Sequence, residues 1–409
     1  MSKIIATKWR ALSGEEEWKG LLDPLDLDLR RYIIHYGERV QAIYDAFIGD
    51  EKSKNCGLPR YAKRHLFSKV GLEKGNPYKY EVTKYFYATT DISSTSGFIK
   101  KSRAADPPAG DSNWIGYVAV TTDTGTTVLG RRDILICWRG TKGADEWKIN
   151  NMVGLASASK ILGEKHDPKV HNGWYSMYTT AHEGSAYNST SCRDQVLSEV
   201  KRLVNNYKKE EVSITVTGHS LGAALATLNA VDIVYNGHNI IPQIGNLIYP
   251  PPPIKICPVT VFAFGAPRVG DKGFHKLFFD LKKLHVLRVN NKPGDIIPST
   301  PPSVQGVLPY VDVGDELIID TIKSPYLKQP NNVFDAHNLE VYLHGVAGTH
   351  GKDGEFKLEV NRQIALVNKT SDFVKDELLV LDYWWTTNKE SMAQNDDGSW
   401  VLMDHESDD

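Results

Sequence analysis

Short apolar runs alternate along the chain with longer segments whose apolar residues recur at helical spacing. Runs rich in β-branched and aromatic residues predict strands at 80–88, 114–120, 133–138, 213–217, 259–265 and 284–290. The clearest amphipathic helix is predicted from Cys192 to Tyr207, just before one of these strands. Alternation of strands and helices is typical of a mostly parallel sheet with helices on its faces. The pattern therefore predicts an α/β fold.

The N-terminal part of the chain has a different pattern from the rest. From Trp9 to about Phe47 the spacing is helical, and Ser13 and Glu16 have the spacing of a capping box. We therefore expect residues 1–90 to form a helical extension packed on the core. Residues 91–409 are expected to form the main α/β domain, and the two ranges most simply make one structural domain.

A turn signal separates the two predicted strands that lead into the sheet. The residues Thr122-Asp123-Thr124-Gly125 lie between the strands at 114–120 and 133–138. Two strands joined by such a turn are typical of a β-hairpin, so we expect one here.

One stretch carries a recognisable chemical motif. The residues Gly218-His219-Ser220-Leu221-Gly222 stand between a β-branched strand and a helix rich in alanine and leucine. In a nucleophile elbow, glycines let strand and helix approach closely while a strained serine exposes its hydroxyl at the turn. Five positions can match by chance, but the flanking strand and helix favour an α/β-hydrolase fold with Ser220 as the nucleophile.

The oxyanion of such a reaction needs two backbone N–H donors. One comes from the residue after the nucleophile, which is Leu221 here, at the positive end of a helix. The other comes from a loop that follows an earlier strand. The loop Trp138-Arg139-Gly140-Thr141 has the right place in chain order, and we assign the second donor to Thr141. The alternative is that this loop is an ordinary turn.

A serine nucleophile also needs a histidine base and a carboxylate, which follow it in chain order in this fold. Asp295 comes directly after the strand that ends at Asn290, so it is the preferred acid. The competing acids are Asp271, Asp312 and Asp315. The downstream histidines are His337, His344, His350 and His405. A position at a loop-to-helix junction favours His337, but spacing alone leaves His344 open.

The residues after Thr141 suggest a covering segment. About 143–155 the pattern is that of a short helix with Trp147, Ile149 and Met152 among polar residues. A mobile helix of this kind can cover an active site in water and turn its apolar face to a lipid surface. We predict a lid here, and the alternative is a fixed surface helix.

Composition excludes several other classes of function. The 409 residues carry a formal net charge of -2, which gives no basic footprint for nucleic acid. No apolar run approaches the roughly 18 residues of a membrane span, so contact with a membrane is expected to be peripheral. We find no metal-binding motif, and we expect neither metal nor cofactor.

The N-terminus resembles neither a secretory signal nor a transit peptide, and the four cysteines are far apart. A cytoplasmic location is therefore expected.

Taken together, the motifs resemble those of the class 3 lipases, and most closely the plant class II phospholipase A1 group. The resemblance is carried by 138–141, by His171-Asn172-Gly173-Trp174, by the elbow at 218–226, by 264–270, by Asp295-Ile296-Ile297-Pro298 and by 337–344. It implies Ser220, Asp295 and His337 as the catalytic triad, with Thr141 and Leu221 forming the oxyanion hole. Asn338 stands where that group usually has another residue after the histidine, and we expect no effect of this difference on catalysis.

The resemblance also implies an activity and its alternatives. The family releases a fatty acid from the sn-1 position of glycerophospholipids, with the lipid held at a membrane or micelle surface. Some members prefer mono- or diacylglycerols, which leaves a neutral-lipid lipase as an alternative. A lipase-like scaffold without catalytic activity is the remaining alternative.

Overall fold

The structure is a computed structural model that describes residues 2–89, 112–141, 154–242, 254–304, 308–330, 333–351, 354–385 and 392–402. The helices are α1 Ser2–Leu12, α2 Leu27–Ala46, α3 Leu66–Lys69, α4 Asp123–Leu129, α5 Ser159–Leu162, α6 Asn172–Thr179, α7 Cys192–Asn206, α8 Leu221–Tyr235, α9 Lys272–Asp280, α10 Val333–His337 and α11 Leu339–Gly348. Short 3-10 helices occur at Lys63–His65, Ile297–Ser299, Ile364–Lys369 and Asp376–Leu378.

The strands of the described residues form three sheets. They are β1 Tyr80–Ala88, β2 Asn113–Thr121, β3 Arg132–Trp138, β4 Leu155–Ser157, β5 Lys169–His171, β6 Val212–His219, β7 Val259–Phe264, β8 Gly270–Asp271, β9 Leu284–Asn291, β10 Ser303–Val304, β11 Leu308–Val311, β12 Asp315–Ile319, β13 Met392–Gln394 and β14 Trp400–Leu402. The central sheet has seven strands in the order β1-β2-β3-β6-β7-β9-β12. β2 runs antiparallel to its neighbours β1 and β3, whereas β3, β6, β7, β9 and β12 are parallel to one another, which confirms the predicted mostly parallel sheet.

The register of the parallel strands brings the carboxyl ends of β3, β6 and β7 together at one end of the sheet, which is here called its carboxyl edge. Trp138 at the end of β3 pairs with Gly218 of β6, and Gly218 pairs with Ala263 of β7. β9 continues the same edge, because Val289 pairs with Phe264. In open α/β sheets ligands bind at the carboxyl ends of the strands. The loops that follow these strands are therefore neighbours at the edge where a ligand is expected.

Helices bury an apolar core on each face of the central sheet. On one face α7 and α8 pack on residues such as Val216 and Val261. On the other face α2 and α11 pack on Phe262, Leu287 and their neighbours. Among the described residues, no helix is both long enough and apolar enough to cross a bilayer.

The N-terminal range is joined to the sheet as well as packed on it. α2 lies on the face opposite α8, and β1 forms the edge of the central sheet by pairing with β2. Residues 1–90 and 91–409 therefore share one sheet.

Two local predictions were wrong. Ser13 caps no helix: α1 ends at Leu12 and α2 is capped by Asp26, whose carboxylate accepts hydrogen bonds from the N–H groups of Asp28 and Leu29. Residues between the two helices include Pro24 and two glycines, which interrupt the helical pattern. The expected hairpin turn is the helix α4, although the strands that it joins are antiparallel as expected.

Candidate active site

Ser220 stands between strand β6 and helix α8 in a backbone conformation that few residues adopt. Its φ is 59° and its ψ is −130°. Its N–H donates to the carbonyl oxygen of Phe264 at 2.9 Å, so the turn is attached to the end of β7. A non-glycine residue with positive φ is strained and persists only where the surrounding structure holds it. This strand, turn and helix form the predicted nucleophile elbow.

Two glycines allow the elbow to be this tight. A Cβ at Gly218 would lie 2.2 Å from the carbonyl oxygen of Gly222. A Cβ at Gly222 would lie 2.4 Å from the carbonyl oxygen of Trp138. Both distances are far below van der Waals contact. The helix therefore packs directly on the backbone of its own strand and of β3.

The side chain of Ser220 is enclosed. The residue is only 1% exposed, and its Oγ forms no hydrogen bond with any described residue. A buried hydroxyl normally has a partner, and exceptions occur at reactive sites. The hydroxyl is therefore available to a base or a substrate.

Asp295 and His337 are in direct contact. The Nδ1 of His337 lies 2.5 Å from the Oδ2 of Asp295, and both side chains are buried. The other carboxylate oxygen accepts from the N–H of Ile297 at 2.9 Å. A carboxylate only accepts, so Nδ1 carries the proton, and in the neutral ring Nε2 is the nitrogen that can take one. This is the arrangement that a general base requires.

His337 also lies against the elbow. Its carbonyl oxygen is 2.7 Å from the Nε2 of His219, the residue before Ser220. The two imidazole rings have centroids 4.6 Å apart. The structure therefore brings together Ser220, His337 and Asp295, which are separated in sequence, at the carboxyl edge of the sheet.

Tyr342 belongs to the same site, and the sequence analysis missed it. Its hydroxyl donates a short hydrogen bond to the Oδ2 of Asp295. Burial and the charge of Asp295 raise the pKa of this phenol well above its ordinary value, so it remains a donor. A tyrosine in the mostly apolar helix 339–348 was the available signal, but its partner could not be read from the sequence.

The competing acids are occupied elsewhere. Asp271 caps α9 by accepting from the N–H of Phe274. Asp312 forms ion pairs with Arg268 and Arg288. Asp315 begins β12, and burial raises the pKa of its carboxyl.

The competing histidines also have other partners. His344 hydrogen-bonds with the hydroxyl of Ser324 at 2.8 Å and stacks on Phe356. Burial lowers the pKa of its ring to about 3. His350 is partly exposed and hydrogen-bonds with the carbonyl of Lys357. His405 lies outside the described residues.

The two assigned oxyanion donors lie beside Ser220. Leu221 is the first residue of α8, where N–H groups have no acceptor within the helix. Thr141 is buried, and a Cβ on the preceding Gly140 would lie 3.1 Å from the Cβ of Ser220. The loop after β3 therefore passes directly beside the serine. Trp147, Ile149 and Met152 of the predicted lid lie outside the described residues.

In the part of the chain that the structure describes, no group of three or more histidine, cysteine, aspartate or glutamate side chains could hold a metal ion.

A nucleophile elbow on a mostly parallel sheet covered by helices defines an α/β hydrolase. The family model described as Lipase (class 3) matches residues 135–305. The chain is 51% identical to phospholipase A1-IIgamma of Arabidopsis thaliana, over 100% of this chain and 95% of that protein. It is 47% identical to phospholipase A1-II 1 of Oryza sativa subsp. indica, over 99% of this chain and 98% of that protein.

Solved structures with a similar fold include the nonglycosylated LIP2 lipase of Yarrowia lipolytica, at 18% identity and a TM-score of 0.45, over 75% of this chain and 84% of that one. The triacylglyceride lipase of Rhizomucor miehei has 17% identity and a TM-score of 0.42, over 71% and 79% of the two chains. The chain belongs to the class 3 lipases and, within them, to the plant phospholipase A1-II group. It is a carboxylic ester hydrolase.

Proposed function

We propose that this enzyme releases the fatty acid from the sn-1 position of glycerophospholipids such as phosphatidylcholine, through an acyl-enzyme on Ser220. The observation that carries the proposal is the buried contact of 2.5 Å between His337 and Asp295, with His337 packed against the residue before Ser220. The names of the phospholipase A1-II relatives support the substrate class.

The mechanism follows from the roles that these groups can take. Nε2 of His337 accepts the Ser220 proton while Oγ attacks the ester carbonyl, and the N–H groups of Leu221 and Thr141 stabilise the oxyanion. Collapse of the tetrahedral intermediate expels the lysophospholipid alkoxide, which takes the proton from His337. Water then repeats the two steps and releases the fatty acid. Asp295 keeps the ring in the required tautomer and stabilises its cation.

The enzyme meets its substrate at a lipid surface, with which the protein makes peripheral contact. Burial of Ser220 supports this proposal, because a phospholipid can enter only after something that covers the serine has moved. The lid at about 143–155 remains a prediction. Trp147→Ala should lower the rate on micellar substrate at least fivefold more than the rate on a monomeric ester, and equal losses would contradict the lid.

We also propose a cytoplasmic location. All four cysteines are buried free thiols. Asn188 and Asn368, the asparagines of the sequons Asn-Ser-Thr and Asn-Lys-Thr, are both 0% exposed, so this fold has no room for a glycan at either position. Cell fractionation of a tagged protein, with glycosidase treatment, tests the location.

The deciding experiment uses a phosphatidylcholine with different acyl chains at its two positions, mixed with a diacylglycerol and a monoacylglycerol. Released acids are identified by mass spectrometry, and Ser220→Ala is the control. We expect mainly the sn-1 chain of phosphatidylcholine, and none with the control. Release chiefly from the glycerides would make the enzyme a neutral-lipid lipase.

Absence of any serine-dependent product would contradict the proposal. Labelling by a fluorophosphonate would then separate an ester hydrolase with another substrate, which labels at Ser220, from a scaffold without activity, which does not.

A further inference from the structure

His219, the residue before the nucleophile, has hydrogen-bond partners at both ring nitrogens. Its Nε2 lies 2.7 Å from the carbonyl oxygen of His337, and its Nδ1 lies 2.9 Å from the hydroxyl of Tyr44. A carbonyl oxygen only accepts, so Nε2 must carry the proton. In the neutral ring Nδ1 is then the acceptor, and the hydroxyl of Tyr44 must donate to it.

The hydroxyl oxygen of Tyr44 accepts in turn from the loop after β3. The N–H of Gly140 donates to it at 3.1 Å. The result is a chain of hydrogen bonds with one direction: Gly140 N–H to Tyr44, Tyr44 O–H to His219, and His219 N–H to the carbonyl of His337. It connects the residue before Thr141 to the proposed general base.

The surroundings hold this chain in one protonation state. Burial, and to a smaller degree the nearby His337, lower the pKa of His219 well below its ordinary value. The lowered pKa favours the neutral ring. A second proton on Nδ1 would face Tyr44 and remove the acceptor that its hydroxyl uses.

The packing leaves no room for a looser arrangement. A Cβ on Gly140 would lie 2.4 Å from the Tyr44 hydroxyl and 2.4 Å from the carbonyl oxygen of His219. The Tyr44 hydroxyl and the carbonyl oxygen of His219 therefore both lie close against the backbone of Gly140. The position of the Thr141 N–H follows from that of Gly140, because the two residues share a peptide bond.

We propose that Tyr44 and His219 are positioning residues, which fix the Thr141 N–H and the imidazole of His337 relative to Ser220. The inference rests on the proposed triad and oxyanion hole. Tyr44 lies on α2, outside the residues 135–305 that match the class 3 lipase model. Helix α2 thus contributes to the site from the face of the sheet opposite α8. A displacement of catalytic groups by about 1 Å can cost about a hundredfold in rate.

The first test is Tyr44→Phe, assayed with p-nitrophenyl butyrate below its solubility limit so that no lipid surface is involved. We expect kcat to fall about ten- to a hundredfold while KM changes less than twofold. The matched control is Tyr36→Phe. Tyr36 lies on the same helix, and its buried hydroxyl donates a hydrogen bond to Asp133 at 2.9 Å. The control should keep kcat within about twofold of the wild-type value.

The second test distinguishes misplacement of the catalytic groups from loss of folded protein. It applies even if Tyr44→Phe is unstable. His219→Phe keeps a ring but loses both hydrogen bonds, whereas His219→Gln places an amide N–H within reach of the His337 carbonyl. The rate of phosphonylation of Ser220 by a fluorophosphonate, per folded enzyme, should be at least tenfold higher for the glutamine variant. Equal rates for the two variants would overturn the role of His219.

Ser220→Ala distinguishes failure of this inference from failure of the proposed function. Wild-type kcat in Tyr44→Phe, together with an inactive Ser220→Ala, would overturn the positioning role alone. Retained activity in Ser220→Ala would overturn both.

Discussion

The hydroxyl of Tyr342 donates a hydrogen bond to the Oδ2 of Asp295, the same carboxylate oxygen that lies 2.5 Å from the Nδ1 of His337. Oδ2 therefore accepts two hydrogen bonds, and the other carboxylate oxygen accepts one from the N–H of Ile297. Three donors from different segments hold the carboxylate in a buried place. The orientation of the imidazole depends on that of the carboxylate, so Tyr342 acts on the base through Asp295.

Tyr342→Phe removes one of these donors without removing the ring. We expect kcat on a soluble ester to fall about tenfold, which corresponds to about 1.4 kcal/mol, because the carboxylate is less firmly oriented. KM should be nearly unchanged. Tyr178→Phe is the matched control, since that hydroxyl donates to Asp232 at 2.8 Å on the other face of the sheet. An unaltered kcat for Tyr342→Phe would contradict the role.

Variants of His337 and His344, which spacing alone did not separate, should differ sharply in activity. His337→Gln removes the base and is expected to lower kcat by about 10⁴-fold or more. His344→Gln should keep kcat within about threefold, because His344 contacts Ser324 and Phe356 and not Asp295. The test is kcat at saturating soluble ester. Comparable losses in both variants would refute the assignment of the base.

His344 should make stability depend on pH. Its ordinary pKa is 6.5, and burial lowers it to about 3 in the folded state. Below pH 6.5 the unfolded chain binds a proton that the folded protein refuses, so stability is full above pH 6.5 and falls as pH decreases toward 3. The slope from one such group approaches about 1.4 kcal/mol per pH unit.

Urea unfolding of the wild type and of His344→Gln between pH 7.5 and 5 measures this contribution. In the variant, the slope of the free energy of unfolding against pH should be smaller by about the contribution of one proton. His35 and His219 also have pKa values lowered by burial, so a residual slope is expected to remain. Identical slopes for the two proteins would show that His344 does not contribute.

Gly218→Ala tests the packing of the elbow. The added methyl group would lie 2.2 Å from the carbonyl oxygen of Gly222, which is backbone and cannot rotate away. We expect the free energy of unfolding to fall by about 3 kcal/mol and activity to be lost.

Gly184→Ala is the control for this change, because its nearest neighbour would be 3.5 Å away. Thermal unfolding and ester hydrolysis should be close to those of the wild type in the control. A Gly218→Ala protein with wild-type melting temperature would contradict the close approach of strand and helix.

The sequence alone determined the elements and the motifs that depend on neighbouring residues. The strands at 80–88 and 133–138, the helix beginning at Cys192 and the elbow around Ser220 were all predicted, because strand propensity, helical spacing and glycine turns act over a few residues. The position of Asp295 after a strand end was readable for the same reason. The capping box at Ser13 shows the limit, since a spacing match does not say where a helix begins.

Only the tertiary structure decided which distant side chains meet. Spacing along the chain left His344 open beside His337, and packing placed one against Asp295 and the other against Ser324. Tyr44 and His219 are 175 residues apart, and α2 gave no local sign that one of its tyrosines reaches the elbow. A hydrogen bond between elements forms only when sheet register and helix packing bring donor and acceptor within about 3 Å. That condition depends on the whole fold, whereas helices, strands and turns are encoded by nearby residues.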